Sequence, residues 1–297
     1  MRMTAATLYR DAGAAMEQAA ERLLDFQTQV QTGKRINKPS DDPGGTAIAI
    51  GERAELAAVE QYSRTSDSTT SRLQVLDSAL SDIVDRLSAA QTAVVGAQGS
   101  EKTAADRESA AQTLEGIKQA LVSDLNTSFQ GAYLFAGANS VNPPFVVSGT
   151  TVSAYQGSTR EVQVDLDQTR RATVGLDGSA VSKGSAGSDV FAVLDSAIAA
   201  ARAGDNAALG QAVTDLSAAF DRTSMVQMGV GANLASIDAL QGQLSDRRLA
   251  GKARISKIED ADLAQAATGM NQAGQAYNAT LAATTRIGQV SLMDYLK

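Results

Sequence analysis

From Val59 to Ala97 apolar or small residues recur at alternating steps of three and four: Val59, Tyr62, Ser66, Thr69, Leu73, Leu76, Leu80, Ile83, Leu87, Ala90, Val94 and Ala97. The seam runs for more than five heptads, contains no Pro, and meets its first Gly at Gly96. Begun at Pro43, such a helix is roughly 80 Å long at about 1.5 Å per residue. A helix of that length needs apolar partners along its whole course, which points to an elongated bundle. Val75, Val84 and Val95 widen the stripe, and the flanking Ser78, Ala79 and Ala93 carry little charge. These features predict three or four packed helices in place of a two-stranded zipper. Ser66 and Thr69 mark a weak point or a change of packing neighbour.

Partners for this helix are found on both sides of it in the chain. Residues 4–31 predict a first helix with Ala5, Leu8, Ala12, Ala15, Ala19, Leu23, Phe26 and Val30 on one face and a slip in spacing near Arg22. That face is too thin to stand alone, because short isolated helices are marginal in water. Gly33 suits a left-handed cap, and Pro39 disfavours helix at Lys38. Asp42 followed by Pro43 then reads as the N-cap and first position of the long helix. Beyond a GAQGS turn, residues 103–130 predict a return helix carrying Leu114, Ile117, Leu121, Leu125 and Phe129.

The texture changes from Gly131 to about Ser188. Glu161–Asp167 alternates as a strand should, with weaker strands at Phe145–Val147 and Thr151–Tyr155. A short helix near Phe191, Leu194 and Ile198 ends around Gly204. A second long helix from about Ala207 carries Leu216, Val230, Ile237, Leu244, Ile255 and Ile258, and Gly229, Gly231 and Gly251 threaten its continuity. The last segment, from Leu263 to about Val290, has Ala267, Met270, Gly274, Tyr277 and Leu281 on one face.

The predicted fold is therefore mainly α: an elongated, rod-like helical bundle or coiled coil built from the N- and C-terminal halves, with a small β-rich insertion. Three nested parts are expected: residues 1–42 with 259–297 as a terminal assembly domain, 43–140 with 188–258 as the helical rod, and 141–187 as the insertion.

The composition excludes much chemistry. The chain has no Cys, His or Trp, so thiol nucleophiles, Ser–His–Asp triads, Cys/His zinc sites and disulfides are ruled out. A net charge of −7 and a pI near 4.8 argue against a nucleic-acid partner. No apolar run is long enough for a membrane span, and the N-terminus lacks the core of a cleaved secretory signal. Asp41/Asp42 and Glu259/Asp260 with Asp262 could in principle do acid–base work or hold a cation. Each group sits at a helix boundary, where capping and the helix dipole account for it. No catalytic, metal or cofactor site is expected. Lys34, Arg35 and Lys38 form a dense basic cluster, read as solvated or as salt-bridging acidic residues of a neighbouring subunit.

Two segments carry a resemblance. Thr32–Ile50, TGKRINKPSDDPGGTAIAI, resembles the N-terminal stretch of the bacterial flagellin superfamily. Ile258-Glu259-Asp260-Ala261-Asp262, with the Ala/Gln-rich helix after it, resembles the C-terminal counterpart. Pro39-Ser40-Asp41-Asp42-Pro43, Gly131–Gly137 followed by Pro144-Phe145, and the ending Ser291–Leu296 are more similar to the hook–filament junction branch than to filament flagellins. The resemblance implies a structural, non-enzymatic flagellar protein. Its implied partners are copies of itself, a hook-side adaptor or the hook protein, flagellin, and a cytoplasmic export chaperone holding the C-terminal helix. It also implies an extracellular, flagellar location reached without a cleaved signal. The assembly residues it points to are Leu8, Leu23, Phe26, Val30, Arg35, Asn37, Asp41, Asp42, Ile258, Glu259, Asp260, Asp262, Met270, Tyr277 and Leu281.

Overall fold

The protein is described by a computed structural model covering residues 5–167, 169–183 and 189–295, apart from the side chains of 5, 6, 8, 9 and 287–295. In chain order the elements are α1 (Ala5–Thr32), α2 (Pro43–Ala97), α3 (Ala104–Leu125), β1 (Ser128–Phe129), β2 (Ala132–Tyr133), β3 (Val147–Ser148), β4 (Thr151–Val152), β5 (Val162–Asp165), β6 (Arg171–Gly175), α4 (Gly178–Ser182), α5 (Val190–Ala203), α6 (Asn206–Glu259) and α7 (Leu263–Tyr295). The architecture is mainly α with three small antiparallel hairpins, β1-β2, β3-β4 and β5-β6.

Two compact units emerge: residues 1–60 with 245–297, and residues 61–244. Their borders fall inside α2 and α6, whereas the expected ones stood at the helix ends, 42/43 and 258/259. The reason lies in the side chains. Arg53 of α2 bonds Glu259 of α6, and Arg254 of α6 bonds Glu52 of α2, so the first turns of α2 and the last turns of α6 belong with the loop between α1 and α2.

In the 61–244 unit the expected seam is the core. Leu73, Leu76 and Leu80 of α2 are fully buried, as are Ile83, Leu87, Ala90, Val94 and Ala97. Each leucine removed from water there contributes on the order of 1.5–3 kcal/mol. Also buried in this unit are Leu114, Leu121 and Leu125 of α3, Leu194 and Ala197 of α5, and Leu216, Ile237 and Leu240 of α6, and α3 packs on α5. One widening position fails: Val95 is 53% exposed, while Val75 and Val84 are half-buried. Ser66 and Thr69 are buried, and the Ser66 hydroxyl finds no partner, so the polar interruption read from the seam lies inside the core. α6 is continuous through Gly229, Gly231 and Gly251, because tertiary packing outweighs about 1 kcal/mol of propensity per glycine.

The return helix stops at Leu125, five residues before its expected end. Asn126 explains this: its amide donates to the Phe145 carbonyl (2.8 Å) and accepts from the Phe145 N–H (3.1 Å). Gln130 and Gly131 both take positive φ, 51° and 81°. They therefore form a two-residue hairpin turn pairing Phe129 with Ala132. The β structure begins there, earlier than the insertion boundary at 141. β5 is the strand expected at 161–167, and its partner β6 was not legible beforehand. Phe145 packs against Tyr155 and Phe191 at centroid distances of 5.6 and 5.3 Å. Burial, with Asp177 nearby, pushes the Tyr155 hydroxyl up to about 12. Lys118, buried in α3, donates to Asp195 of α5 at 2.6 Å and to the Thr150 carbonyl, which ties the β3-β4 hairpin to the helices.

Leu80→Ala is expected to destabilise the protein by about 2–5 kcal/mol, whereas Val95→Ala costs less than about 0.5 kcal/mol. Urea unfolding of the two variants checks the contrast.

Candidate functional site

The two segments that carry the family resemblance, distant in sequence, lie side by side. α1 ends at Gly33, whose φ of +69° allows the chain to reverse. The Glu259 carbonyl then accepts the Arg35 N–H at 2.6 Å and the Ile36 N–H at 3.5 Å, and the Gly33 carbonyl accepts the Ala261 N–H at 2.9 Å. Lys34 and Asp260 thus form an antiparallel bridge.

Glu259 is the centre of this clasp. Its side chain is 4% exposed, and Oε2 accepts from Lys34 Nζ at 3.0 Å and from Arg53 Nη2 at 2.7 Å. Burial pulls its pKa upward, but the two cations outweigh that and hold it below the usual glutamate value. Arg35 donates through Nη2 to Asp42 Oδ2 and to the Ile258 carbonyl, both at 3.0 Å. The other oxygen of Asp42 caps α2 by accepting the Gly45 N–H at 2.8 Å, as the Asp-Pro start predicted. That cap, with Arg35 second, lowers the Asp42 pKa. Asp41 accepts the Asn37 and Lys38 N–H groups at 2.9 and 2.8 Å through one oxygen, and the Asn37 amide donates to the Lys34 carbonyl at 2.8 Å. The backbone bonds from Lys38, then Asn37, lower the pKa of Asp41. Asp262 caps α7 by accepting the Ala264 and Gln265 N–H groups, and Asp260 accepts from Ser256. Every carboxylate of the expected acid pairs is thus engaged in capping, turn, ion-pair or, for Asp260, hydroxyl contacts. Lys34 and Arg35, read as solvated or as salt-bridging a neighbouring subunit, each bond a carboxylate of their own chain, Glu259 and Asp42, at 3.0 Å.

Beyond the clasp, α1 packs on α7. The half-buried stripe of α1 is Ala12, Met16, Ala19, Leu23, Phe26 and Val30, a regular heptad. Met16 takes the place expected for Ala15, which removes the slip near Arg22. The side chain of Leu8 lies outside the described residues. On α7 the stripe is Ala266, Met270, Ala273, Tyr277, Thr280 and Thr284, and Leu281 is 42% exposed instead of facing α1. A smaller residue governs the approach: a Cβ at Gly269 would stand 2.5 Å from the Phe26 ring. An open groove of about 660 Å³ is lined by Phe26, Gln29, Arg35, Asp262 and Gly269 among others. It brings no nucleophile, base and acid together. Among the described residues no group of three or more acidic side chains is placed to hold a metal, and no helix is long and apolar enough to cross a membrane.

Residues 6–140 match the family model of the bacterial flagellin N-terminal helical region. Hook-associated protein 3 of Salmonella typhimurium is 27% identical over 285 residues, 88% of this chain and 89% of that protein. Residues 6–140 are thus similar to the bacterial flagellin family, and most of the chain is similar to hook-associated protein 3. Flagellin B of Helicobacter pylori is 31% identical over 135 residues, but these cover 44% of this chain and 26% of that flagellin. In fold, the chain is similar to the flagellar junction protein of Legionella pneumophila, with a TM-score of 0.61 at 12% identity, over 72% of this chain and all of that one. The superfamily's two terminal motifs are thus the two strands of the clasp. Sequence reasoning missed Arg53 of the clasp and Gly269 of the α1–α7 contact. Arg53 sits mid-helix with nothing local to mark it, and Gly269 looked like one small residue among many.

Replacing Glu259 with Gln leaves Lys34 and Arg53 without their carboxylate and is expected to destabilise by about 1–3 kcal/mol. Because the folded pKa is depressed, the wild-type contribution is present above the ordinary glutamate value and is lost as pH falls through the folded value. The difference between wild type and Glu259→Gln, measured by urea unfolding from pH 7 to pH 3, should therefore shrink on acidification. Gly269→Val should force Phe26 aside and cost about 1–3 kcal/mol, read as faster amide exchange in α7.

Proposed function

We propose that this protein is a structural component of the bacterial flagellum, a junction adaptor between hook and filament on which flagellin polymerises. One observation carries the reading. Likeness to hook-associated protein 3 extends over nearly nine-tenths of both chains, while likeness to flagellin B covers 44% of this chain and 26% of that flagellin. A short filament-forming flagellin is the alternative that this partial likeness keeps open.

The clasp suits such a role. It joins segments 1–42 and 259–297, the proposed assembly domain, to the starts and ends of the long helices through charged and backbone bonds that need no cofactor. The proposed assembly contacts are the exposed and half-buried side chains of that domain, Leu23, Phe26, Val30, Met270, Tyr277 and Leu281 among them, with Leu8. Arg35, Asn37, Asp41, Asp42, Ile258, Glu259, Asp260 and Asp262 shape the loop that presents them. The proposed partners are further copies of the chain, a hook-side adaptor or the hook protein, and flagellin. Export without a cleaved signal, with a chaperone on the C-terminal helix, belongs to the same reading. A catalytic role has no support in the side chains brought together.

Deletion of the gene is expected to leave cells with hooks but no filaments, shedding flagellin into the medium. Electron microscopy and immunoblotting of the supernatant check this, and intact filaments in the deletion strain would overturn it. Thousands of copies per purified filament would favour the flagellin alternative.

A further inference from the structure

The β3-β4 hairpin has little of its own to hold it in place. Its ladder pairs Val147 with Val152 and Ser148 with Thr151, and among the described residues neither strand pairs with a third. A lone two-stranded hairpin is marginal in water. Residues 146–151 are all exposed and Val152 is half-buried, so the hairpin buries little apolar area. Both ends of the segment, by contrast, are fixed. Phe145 is 1% exposed and exchanges two hydrogen bonds with Asn126. The Tyr155 hydroxyl donates to the Phe135 carbonyl at 3.0 Å, and the Gln156 N–H donates to the Pro144 carbonyl at 2.9 Å. Bonds between Val146 and Ser153 join the two arms, so the segment between the fixed ends moves as one piece.

Among the described residues, one hydrogen bond reaches 146–154 from the helices. Lys118 Nζ of α3 donates to the Thr150 carbonyl at the hairpin tip, at 2.5 Å, and to Asp195 of α5 at 2.6 Å. The side chain of Lys118 is 8% exposed and that of Asp195 49%, so the ammonium is enclosed and the carboxylate stands at the rim. An enclosed ammonium needs oxygens in place of water, and the Thr150 carbonyl supplies one only while the hairpin is down. Between the hairpin, α3 and α5 lies a cavity of about 380 Å³, with Val122, Val152 and Ile198 in its wall beside Lys118.

We infer that residues 146–154 are a strap, hinged at Phe145 and Tyr155 and latched by Lys118, that lifts off α3 and α5 without their unfolding and opens the cavity beneath. This goes beyond the proposed flagellar role and does not depend on it. Lifting breaks one bond from a charged donor and wets Val122 and Ile198, 5% and 6% exposed. Unfolding the unit would wet the whole α2 seam, a far larger cost.

The chain has no cysteine, so single substitutions give clean thiol probes for maleimide labelling of the full chain under native conditions. Val122→Cys reports opening of the strap, and Ala90→Cys, in the α2 seam at 0% exposure, reports unfolding of the unit. Val122→Cys is expected to react at least roughly tenfold faster than Ala90→Cys. Adding Lys118→Met, which keeps the stem and removes the donor, should speed labelling of Val122→Cys by roughly tenfold or more. Adding Ile237→Val, a mild change in the α6 core, should speed labelling of Ala90→Cys roughly threefold or more and leave Val122→Cys unchanged, because the lifted state keeps the helical core. Lys118→Gln replaces Lys118→Met if the latter lacks the wild-type circular dichroism. Equal labelling of the two probes, acceleration of Val122→Cys by Ile237→Val, or indifference of Val122→Cys to loss of the Lys118 ammonium would each overturn the inference.

Discussion

The buried seam of α2 is the constraint on which the rest of the structure depends. Leu73, Leu76, Leu80, Ile83 and Leu87 have to be covered along their length, and α2 is tied to α3 through Arg86 and Asp124 and to α6 through Asp67 and Gln241. α3 and α5 come from the middle of the chain, and α6 returns from the C-terminal half. The nesting of the sequence, with the β hairpins between α3 and α5, follows from that need. The long helices must lie against each other while the hairpins leave the chain between them.

A second kind of interaction governs the other unit. There the helices α1 and α7 meet through stripes rich in small residues, with Met16, Leu23, Phe26 and Val30 on one and Met270 and Tyr277 on the other, a surface too thin to fix the register by hydrophobic area alone. Directional bonds supply what area does not. The buried Glu259 carboxylate takes two cations from α2 and the loop before it, and its carbonyl takes two backbone N–H groups. A carboxylate so enclosed is stable only while both cations are present, so the clasp specifies one geometry. In the proposed role, that geometry would present the terminal helices to neighbours.

Long periodic elements were legible from the residues. α2 begins at Pro43 and ends at Ala97 as its seam and cap required, α5 ends at Gly204, and Asp42 caps α2. Short elements were not. The β1-β2 hairpin depends on positive φ at Gln130, a residue that does not advertise it, and α3 ends where Asn126 meets Phe145, a contact visible only in three dimensions. The faces of α1 and α7 were each misread by one position, at Ala15 and at Leu281. In an Ala-rich helix several stripes look equally apolar, and packing chooses among them.

The sequence by itself determined the helical class, the two long helices, the caps at Asp42 and Gly33, the absence of thiol and imidazole chemistry, and the family resemblance in the two terminal motifs. These follow from local periodicity, backbone preference and composition, which need no knowledge of distant residues. Tertiary structure alone decided that the two motifs form one clasp, that Lys34 and Arg35 pair within the chain, that Arg53 joins them, and where the compact units divide. Such features arise from residues as far apart as Lys34 and Glu259, 225 positions, and only the folded backbone sets their distances.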